Sequence, residues 1–278
     1  MTTNADVMNE LANAAQAVTA LTDEVSGKVI EINNSITGLN QLANSTAQVI
    51  LSKYQDPLNV TSYLSMNGDD TNSGAGSESA LRTFNEAVSR VKTGSTLTVR
   101  IEDTDTPFVI NKNFSINGIT LIVYMKAGVV LEQGDTESGA IASIIPGNNS
   151  LLIFRDGKIR TSINNAAKNR DTALIKRNDV TSSKAQLFRC DIELGNHDFM
   201  ACGSTANGLH ELSIGHGSAS NRLDGNGEGI LALIDSGNLA FSWTNGTNST
   251  GKSLSELFEG VVRATDGEPK NILSNMNI

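Results

Sequence analysis

Between Gly94 and Tyr124 the chain reads GSTLTVRIEDTDTPFVINKNFSINGITLIVY. Three runs rich in β-branched residues, Leu97–Ile101, Phe108–Ile110 and Ile119–Tyr124, are separated by Asp, Asn, Thr and Gly. That is the punctuation of short strands and tight turns. The alternation continues through Val129–Leu131, Ile141–Ile145, Leu151–Phe154, Leu174–Ile175, Leu187–Phe188, Leu212–Ile214, Ile230–Ile234 and Leu239–Trp243. Several of these runs recur at about 20 to 24 residues, in an imperfect register. A repeat near one solenoid turn predicts a right-handed parallel β-helix, in which each turn closes the apolar interior of the one before. A β-sandwich with hairpin turns every 8–12 residues is the alternative, and part of the chain fits it.

The composition agrees with a turn-rich β body. Aromatic residues make up 4% and charged residues 18% of the chain, and Asn, Ser, Thr and Gly fill the gap. At 278 residues the chain is longer than a usual domain, which predicts two structural units. Its net charge of −9 excludes nucleic acid as a favoured partner, because an acidic chain releases no counterions from phosphate. The N-terminus lacks a basic region followed by an apolar core, and no apolar run approaches a membrane span. Synthesis in a cytoplasm without membrane insertion is expected. Two cysteines, Cys190 and Cys202, are too few for a disulfide framework or a zinc site and are expected as buried thiols.

Upstream, from Asn4 to about Ile50, the period is helical. Leu11, Val18, Val25, Ile32 and Leu39 fall seven residues apart, with Ala14, Leu21, Val29, Ile36 and Leu42 between them. This predicts a coiled-coil seam, with a stutter through Leu21, Val25 and Val29 that locally unwinds the supercoil. The oligomerisation residues are Leu11, Val18, Leu21, Val25, Val29, Ile32, Ile36 and Leu39. β-branched residues in both core layers around Val25 to Ile36 favour three strands, hence a homotrimer. Gly27 and Gly38 each cost about 1 kcal/mol in a helix interior, so the helix is expected to break into two or three pieces. Asp56-Pro57 ends it.

These readings divide the chain into a helical oligomerisation segment (1–52), a linker (53–75), a capping helix with the β-helix body (76–250) and a C-terminal capping helix with tail (251–278). The first capping helix is expected over Ser79–Val91, where Leu81, Phe84, Ala87, Val88 and Val91 share a face. The segment from Asp69 to Val88, DDTNSGAGSESALRTFNEAV, resembles the lead-in to the pectate-lyase-like β-helix of bacteriophage tail fibres and tailspikes. The order of parts is similar too: oligomerising helix, linker, capping helix, solenoid. The resemblance implies a trimeric component of a virion tail. Its N-terminus would meet other tail or baseplate proteins, and its body would meet the host surface, where glycan is the ligand class. A structural and adhesive fibre is the expected function. A polysaccharide-degrading tailspike and an adaptor that docks other fibres are the rivals. The solenoid is shorter than depolymerase spikes carry, which argues against an enzyme.

Several motifs bear on chemistry. Gly246-Thr247-Asn248-Ser249-Thr250-Gly251-Lys252-Ser253 matches the P-loop pattern, yet too little chain follows to build a parallel α/β sheet. Ser253-Leu254-Ser255-Glu256 reads instead as a capping box opening a helix through Leu257, Phe258, Val261 and Val262. Glycoside hydrolysis needs two facing carboxyl groups. Asp191 and Glu193, which alternate along one strand, are the candidates, with Asp224, Glu228, Asp235 and the pair Asp103 and Asp105 behind them. The competing reading makes all of them the solvated face of an acidic solenoid. His197, His210 and His216 lack metal-ligand spacing, and no metal or cofactor is expected. Trp243 could stack on a sugar but suits core packing better.

Overall fold

The computed structural model describes residues 3–54, 58–176, 184–203, 209–215, 221–225, 227–235 and 237–278. The chain divides into two compact units, Met1–Pro57 and Leu58–Ile278. It is mainly β, with one long N-terminal helix and parallel strands.

The first unit is a single helix, Asn4–Tyr54, of 51 residues. The expected breaks at Gly27 and Gly38 do not occur, and the helix passes through both. A cost of about 1 kcal/mol at two sites is small against a ladder of this length. Thr19, Thr22, Ser35 and Thr37 donate their hydroxyls to carbonyls four residues back, which keeps these short polar side chains within the helix's own hydrogen bonding. Asp56-Pro57 lies outside the described residues.

In the second unit every pairing between named strands is parallel, and the chain visits three faces in turn. The first face is an eight-stranded sheet: Asn59–Leu64, Thr96–Ile101, Thr120–Met125, Leu151–Arg155, Lys184–Phe188, Leu209–Ile214, Asn238–Trp243 and Ile272–Ser274. The second has six strands, from Phe108–Ile110 to Gly246–Asn248. The third runs from Phe114–Ile116 through Ile144–Pro146, single bridges at Ile175, Met200–Cys202 and Ala232–Ile234 to Phe258–Glu259. This stacking of three-faced coils fits a β-helix.

The interior follows from register. Val99, Val123, Phe154, Leu187, Ile214 and Trp243 lie directly above one another, and each is buried. Fully burying an aliphatic or aromatic side chain contributes about 1.5–3 kcal/mol, and each member of the column is covered chiefly by the coils on either side. The same register corrects the expected period. Along Leu97, Leu121, Leu152, Ala185, Leu212 and Phe241 the steps are 24, 31, 33, 27 and 29 residues, because the turns between faces differ in length. A polar spine supports those turns. Gln133, almost wholly buried, donates to the Ala142 and Thr172 carbonyls and accepts from the Ser162 amide. The buried Thr161 hydroxyl donates to the His197 carbonyl and accepts from the Gly195 amide.

Three expected boundaries shift. The linker over 53–75 contains a strand, Asn59–Leu64, paired with Thr96–Ile101 from Asn59 opposite Thr96 to Leu64 opposite Ile101. The capping helix is shorter than Ser79–Val91. A 3-10 turn at Ser77–Ser79 precedes it, Leu81 forms a parallel bridge with Leu64, and the α-helix spans Phe84–Ser89. Leu81 is held extended because its amide donates to the Tyr63 carbonyl while its own carbonyl accepts from Ser65. At the other end, the expected helix from Ser253 through Val262 is one 3-10 turn, Leu254–Leu257, followed by strand Phe258–Glu259. Leu257 and Phe258 are both buried, and the chain must extend there to pair with Ala232 and Leu233.

The N-terminal cap explains the Asp-rich segment. Asp70 Oδ1 accepts from the amides of Arg82 and Thr83, both at 2.9 Å, and its Oδ2 accepts from the Thr83 hydroxyl at 2.8 Å. Thr83 in turn caps the short helix by accepting from the Glu86 amide. Arg90 ties the loop down, donating to the Asp70 and Ser73 carbonyls. The helix thereby sets Phe84 against Phe114, stacked at 4.7 Å, and edge-on to Phe108 at 5.6 Å, covering the open end of the first full coil. Asp70→Ala strands these donors and is expected to lower stability by about 1–3 kcal/mol, read as an earlier midpoint in urea unfolding.

Candidate functional site

Asp191 and Glu193 lie on strand Asp191–Leu194 and face outward on the second sheet, as their alternation predicts. What they meet is a row of opposite charges. Lys158 and Arg160 stand on the preceding strand and Glu132 on the one before that, with Glu132 opposite Arg160 and Arg160 opposite Glu193. Arg160 grips Glu193 with two bonds, Nε to Oε1 at 2.9 Å and Nη2 to Oε2 at 3.3 Å, and reaches Glu132 at 3.0 Å. Lys158 Nζ adds a third contact to Glu193 at 3.2 Å. Asp191 instead accepts the Arg222 backbone amide at 2.8 Å.

Partial burial alone would raise the Glu193 carboxyl's pKa. The hydrogen bonds and charges of Arg160 and Lys158 outweigh it, and the net effect holds the group below the ordinary glutamate value. The Glu193 bond raises the Arg160 guanidinium in return. A general acid for glycoside hydrolysis must be kept protonated by its surroundings, and these surroundings favour the carboxylate. The other acidic candidates are spread out. Asp224 pairs with Arg222 at 2.9 Å, Asp235 pairs with Arg170 at 3.2 Å, and Asp103 accepts the Asp105 amide in a turn between the first two faces. Glu228 is exposed in a turn beyond the second face.

Because the Glu193 pKa is depressed on folding, its contribution to stability is present above the unfolded value and is lost as pH falls through the folded one. Glu193→Gln is therefore expected to lower the melting temperature at neutral pH. The gap to the parent should close below about pH 4.

Every special residue of the P-loop-like segment has a local structural task. Gly246–Asn248 is a strand paired with Asn221–Gly225. A Cβ on Gly246 would collide with the indole nitrogen of Trp243, so the ring itself demands glycine. Gly251 has φ of 78° and makes the turn. Lys252 Nζ donates to the carbonyls of Gly229 at 2.8 Å and Gly227 at 3.1 Å. Ser253 donates from both its amide and its hydroxyl to Glu256 Oε2. Lys252 is thus a tether between neighbouring coils and not a solvated cap residue. Lys252→Ala is expected to cost about 1–3 kcal/mol in denaturant unfolding, and neither protein should bind ATP in equilibrium dialysis.

The remaining singled-out residues are interior. Cys190 and Cys202 are both buried, and burial pushes the Cys190 thiol well up. His210 faces inward, opposite Leu239. His197 is fully buried beside the Asn164 carbonyl at 3.0 Å, and burial lowers its pKa. His216 lies outside the described residues. Trp243 is 6% exposed and packs edge-on to Phe241, so it belongs to the core. Among the described residues no group of three or more His, Cys, Asp or Glu is placed to hold a metal ion.

Two features escaped sequence reasoning. Asp198 is fully buried, held by Lys168 at 3.3 Å and the Ile230 amide at 3.1 Å, and burial raises its pKa. Lys168 also reaches Glu259 at 3.4 Å, tying a long turn across several coils. On the outer side of the first sheet, Tyr63, Arg100, Tyr124, Arg155 and Phe188 stand in register on five successive strands. The Arg100 guanidinium lies 5.6 Å from the Tyr63 ring centre and 4.7 Å from that of Tyr124, and Arg155 lies 5.8 Å from Phe188. Each ring thus has one guanidinium beside it. Only the spacing between coils brings these residues together.

The residues expected to form the oligomerisation seam all lie on the helix Asn4–Tyr54. Leu11, Val18, Leu21, Val25, Val29, Ile32, Ile36 and Leu39 are each half exposed or more, from 50% to 66%. Among the described residues no helix is long and apolar enough to cross a membrane. Comparison with protein-family models, curated proteins and solved structures finds no match to this chain.

Proposed function

We propose that the chain is the subunit of a homotrimeric fibre of a bacteriophage tail, structural and adhesive in role. In this reading the N-terminal helices wind into a three-stranded coiled coil that faces other tail or baseplate proteins. The second unit is a right-handed parallel β-helix turned toward the host surface, where glycan is the ligand class. The observation that carries the reading is the stripe on Asn4–Tyr54. Eight aliphatic side chains recur at heptad-like spacing along a helix of 51 residues, the pattern by which partner helices bury a common seam. β-branched residues in both layers, at Val25, Val29, Ile32 and Ile36, favour three strands over two.

The second unit supports the same reading. Asp191 and Glu193, its foremost acidic candidates, are engaged in ion pairs and a backbone contact, so the surface reads as a durable shaft more readily than as a hydrolase cleft. Weak glycan contacts suffice for adhesion when three copies act together, since linked sites multiply avidity through effective concentration.

Sedimentation equilibrium at micromolar concentration should return three times the chain mass, and Val25→Asp with Ile32→Asp should lower it. A monomeric parent would sink the proposal. Its adhesive half is tested by incubating the trimer with host surface polysaccharide, where retention without new reducing ends is expected. Turnover abolished by Glu193→Gln would make the chain a depolymerase instead.

A further inference from the structure

We propose that Lys168 and Asp198 become joined by an isopeptide bond, formed between the lysine Nζ and the aspartate Cγ with Glu259 as the proton acceptor. The bond lies within one chain and does not depend on the trimer. Its parts come from three places in the second unit. Lys168 sits in the long turn between strand Lys158–Arg160 and the bridge at Ile175. Asp198 precedes strand Met200–Cys202, and Glu259 belongs to strand Phe258–Glu259. Lys168 Nζ stands 3.3 Å from Asp198 Oδ1 and 3.4 Å from Glu259 Oε2. Among the described residues Asp198 is the one acidic residue that is buried, and its Oδ2 has no hydrogen-bond partner there. Its Oδ1 also accepts the Ile230 amide at 3.1 Å.

These features suit amide formation better than a lasting ion pair. A solvated carboxylate is a poor acylating group, whereas burial favours the neutral acid. Burial raises the Asp198 pKa against the opposing pull of Lys168 and the Ile230 amide. The steps balance within the cluster. Glu259 takes a proton from the Lys168 ammonium and frees the lone pair on Nζ. That pair attacks Cγ of the protonated Asp198, while the Ile230 N–H stabilises the charge that develops on Oδ1. A proton then passes from the nitrogen to the Oδ2 hydroxyl, the Cγ–Oδ2 bond breaks, and water leaves. Glu259, 60% exposed, returns its proton to solvent. The products are one amide and one water, and no other reactant is consumed. Condensation is unfavourable between free groups in water, but well-oriented neighbours react at effective molarities of about 10⁵–10⁸ M. The Lys158–Glu193 pair, at 3.2 Å, lacks this setting. Glu193 is 30% exposed and gripped by Arg160, which keeps it a carboxylate.

The test is the intact mass of the full chain, purified folded and then denatured. The parent should fall short of its sequence mass by one water. Trypsin, which does not cleave after an acylated lysine, should release one branched peptide joining the segments around Lys168 and Asp198. Lys168→Arg keeps the charge but cannot form the amide, so it should show the full sequence mass. Glu259→Gln removes the proton acceptor at an exposed position, and freshly made protein should then contain both masses. Complete conversion in that variant would strip Glu259 of its part. A folded parent that keeps its full mass after prolonged warm incubation would overturn the inference. So would a missing water that survives in Lys168→Arg, because an Asp-Gly pair such as Asp266-Gly267 can lose water by closing a succinimide. The branched peptide is read from the parent alone, so the result stands even where a variant does not fold.

Discussion

One coil of this protein cannot hold itself together. It has no hydrogen-bonded neighbour for its strands and no cover for its inward side chains until the next coil is laid on it in register. The ladder that puts Val99, Val123, Phe154, Leu187, Ile214 and Trp243 in one column is therefore the constraint on which the rest depends. Backbone pairing sets the vertical spacing, and the spacing decides which side chains meet. Inside the column that contact is apolar. Outside it becomes the ion ladder of the second face and the aromatic–arginine stack of the first.

A stack of this kind has two ends, and each is a place where the pattern must stop. At the N-terminal end the stop is made by an Asp-rich turn whose central carboxylate, on Asp70, gathers the donors of a one-and-a-half-turn helix and so drops Phe84 onto the first full coil. In the last described coil Asn275 extends the pairing of strand Ile272–Ser274 with its side chain. Its side chain accepts from the Trp243 amide and donates to the Trp243 carbonyl. Both devices use single side chains to imitate what a neighbouring coil would supply.

Charges in such a body serve register before they serve chemistry. Glu193 sits between two cations on the neighbouring strand, and Lys252 spans to carbonyls of the coil before it. A literal P-loop match and a pair of alternating carboxylates both resolve into contacts between coils. The same logic applies to Asp198 and Lys168, which fasten a long turn across the third face.

Much of the fold was legible in the residues alone. Alternation within Thr96–Ile101 and Thr120–Met125 marked the strands, Gly and Asn marked the turns, and the heptad-spaced aliphatics marked the helix, because each of these signals lies within a few residues along the chain. The outward side of Asp191 and Glu193 was equally local. The strand Asn59–Leu64 and the short 3-10 turn Leu254–Leu257 were not legible, since their conformations are imposed by strands far along the chain. Nor were the partners of Asp191, Glu193 and Asp198. Coils of 24 to 33 residues place Arg160 beside Glu193, and Arg100 between two tyrosines, by an amount no fixed period encodes. Local pattern determined what each segment is. Only the hydrogen-bonded register between coils decided what each side chain touches.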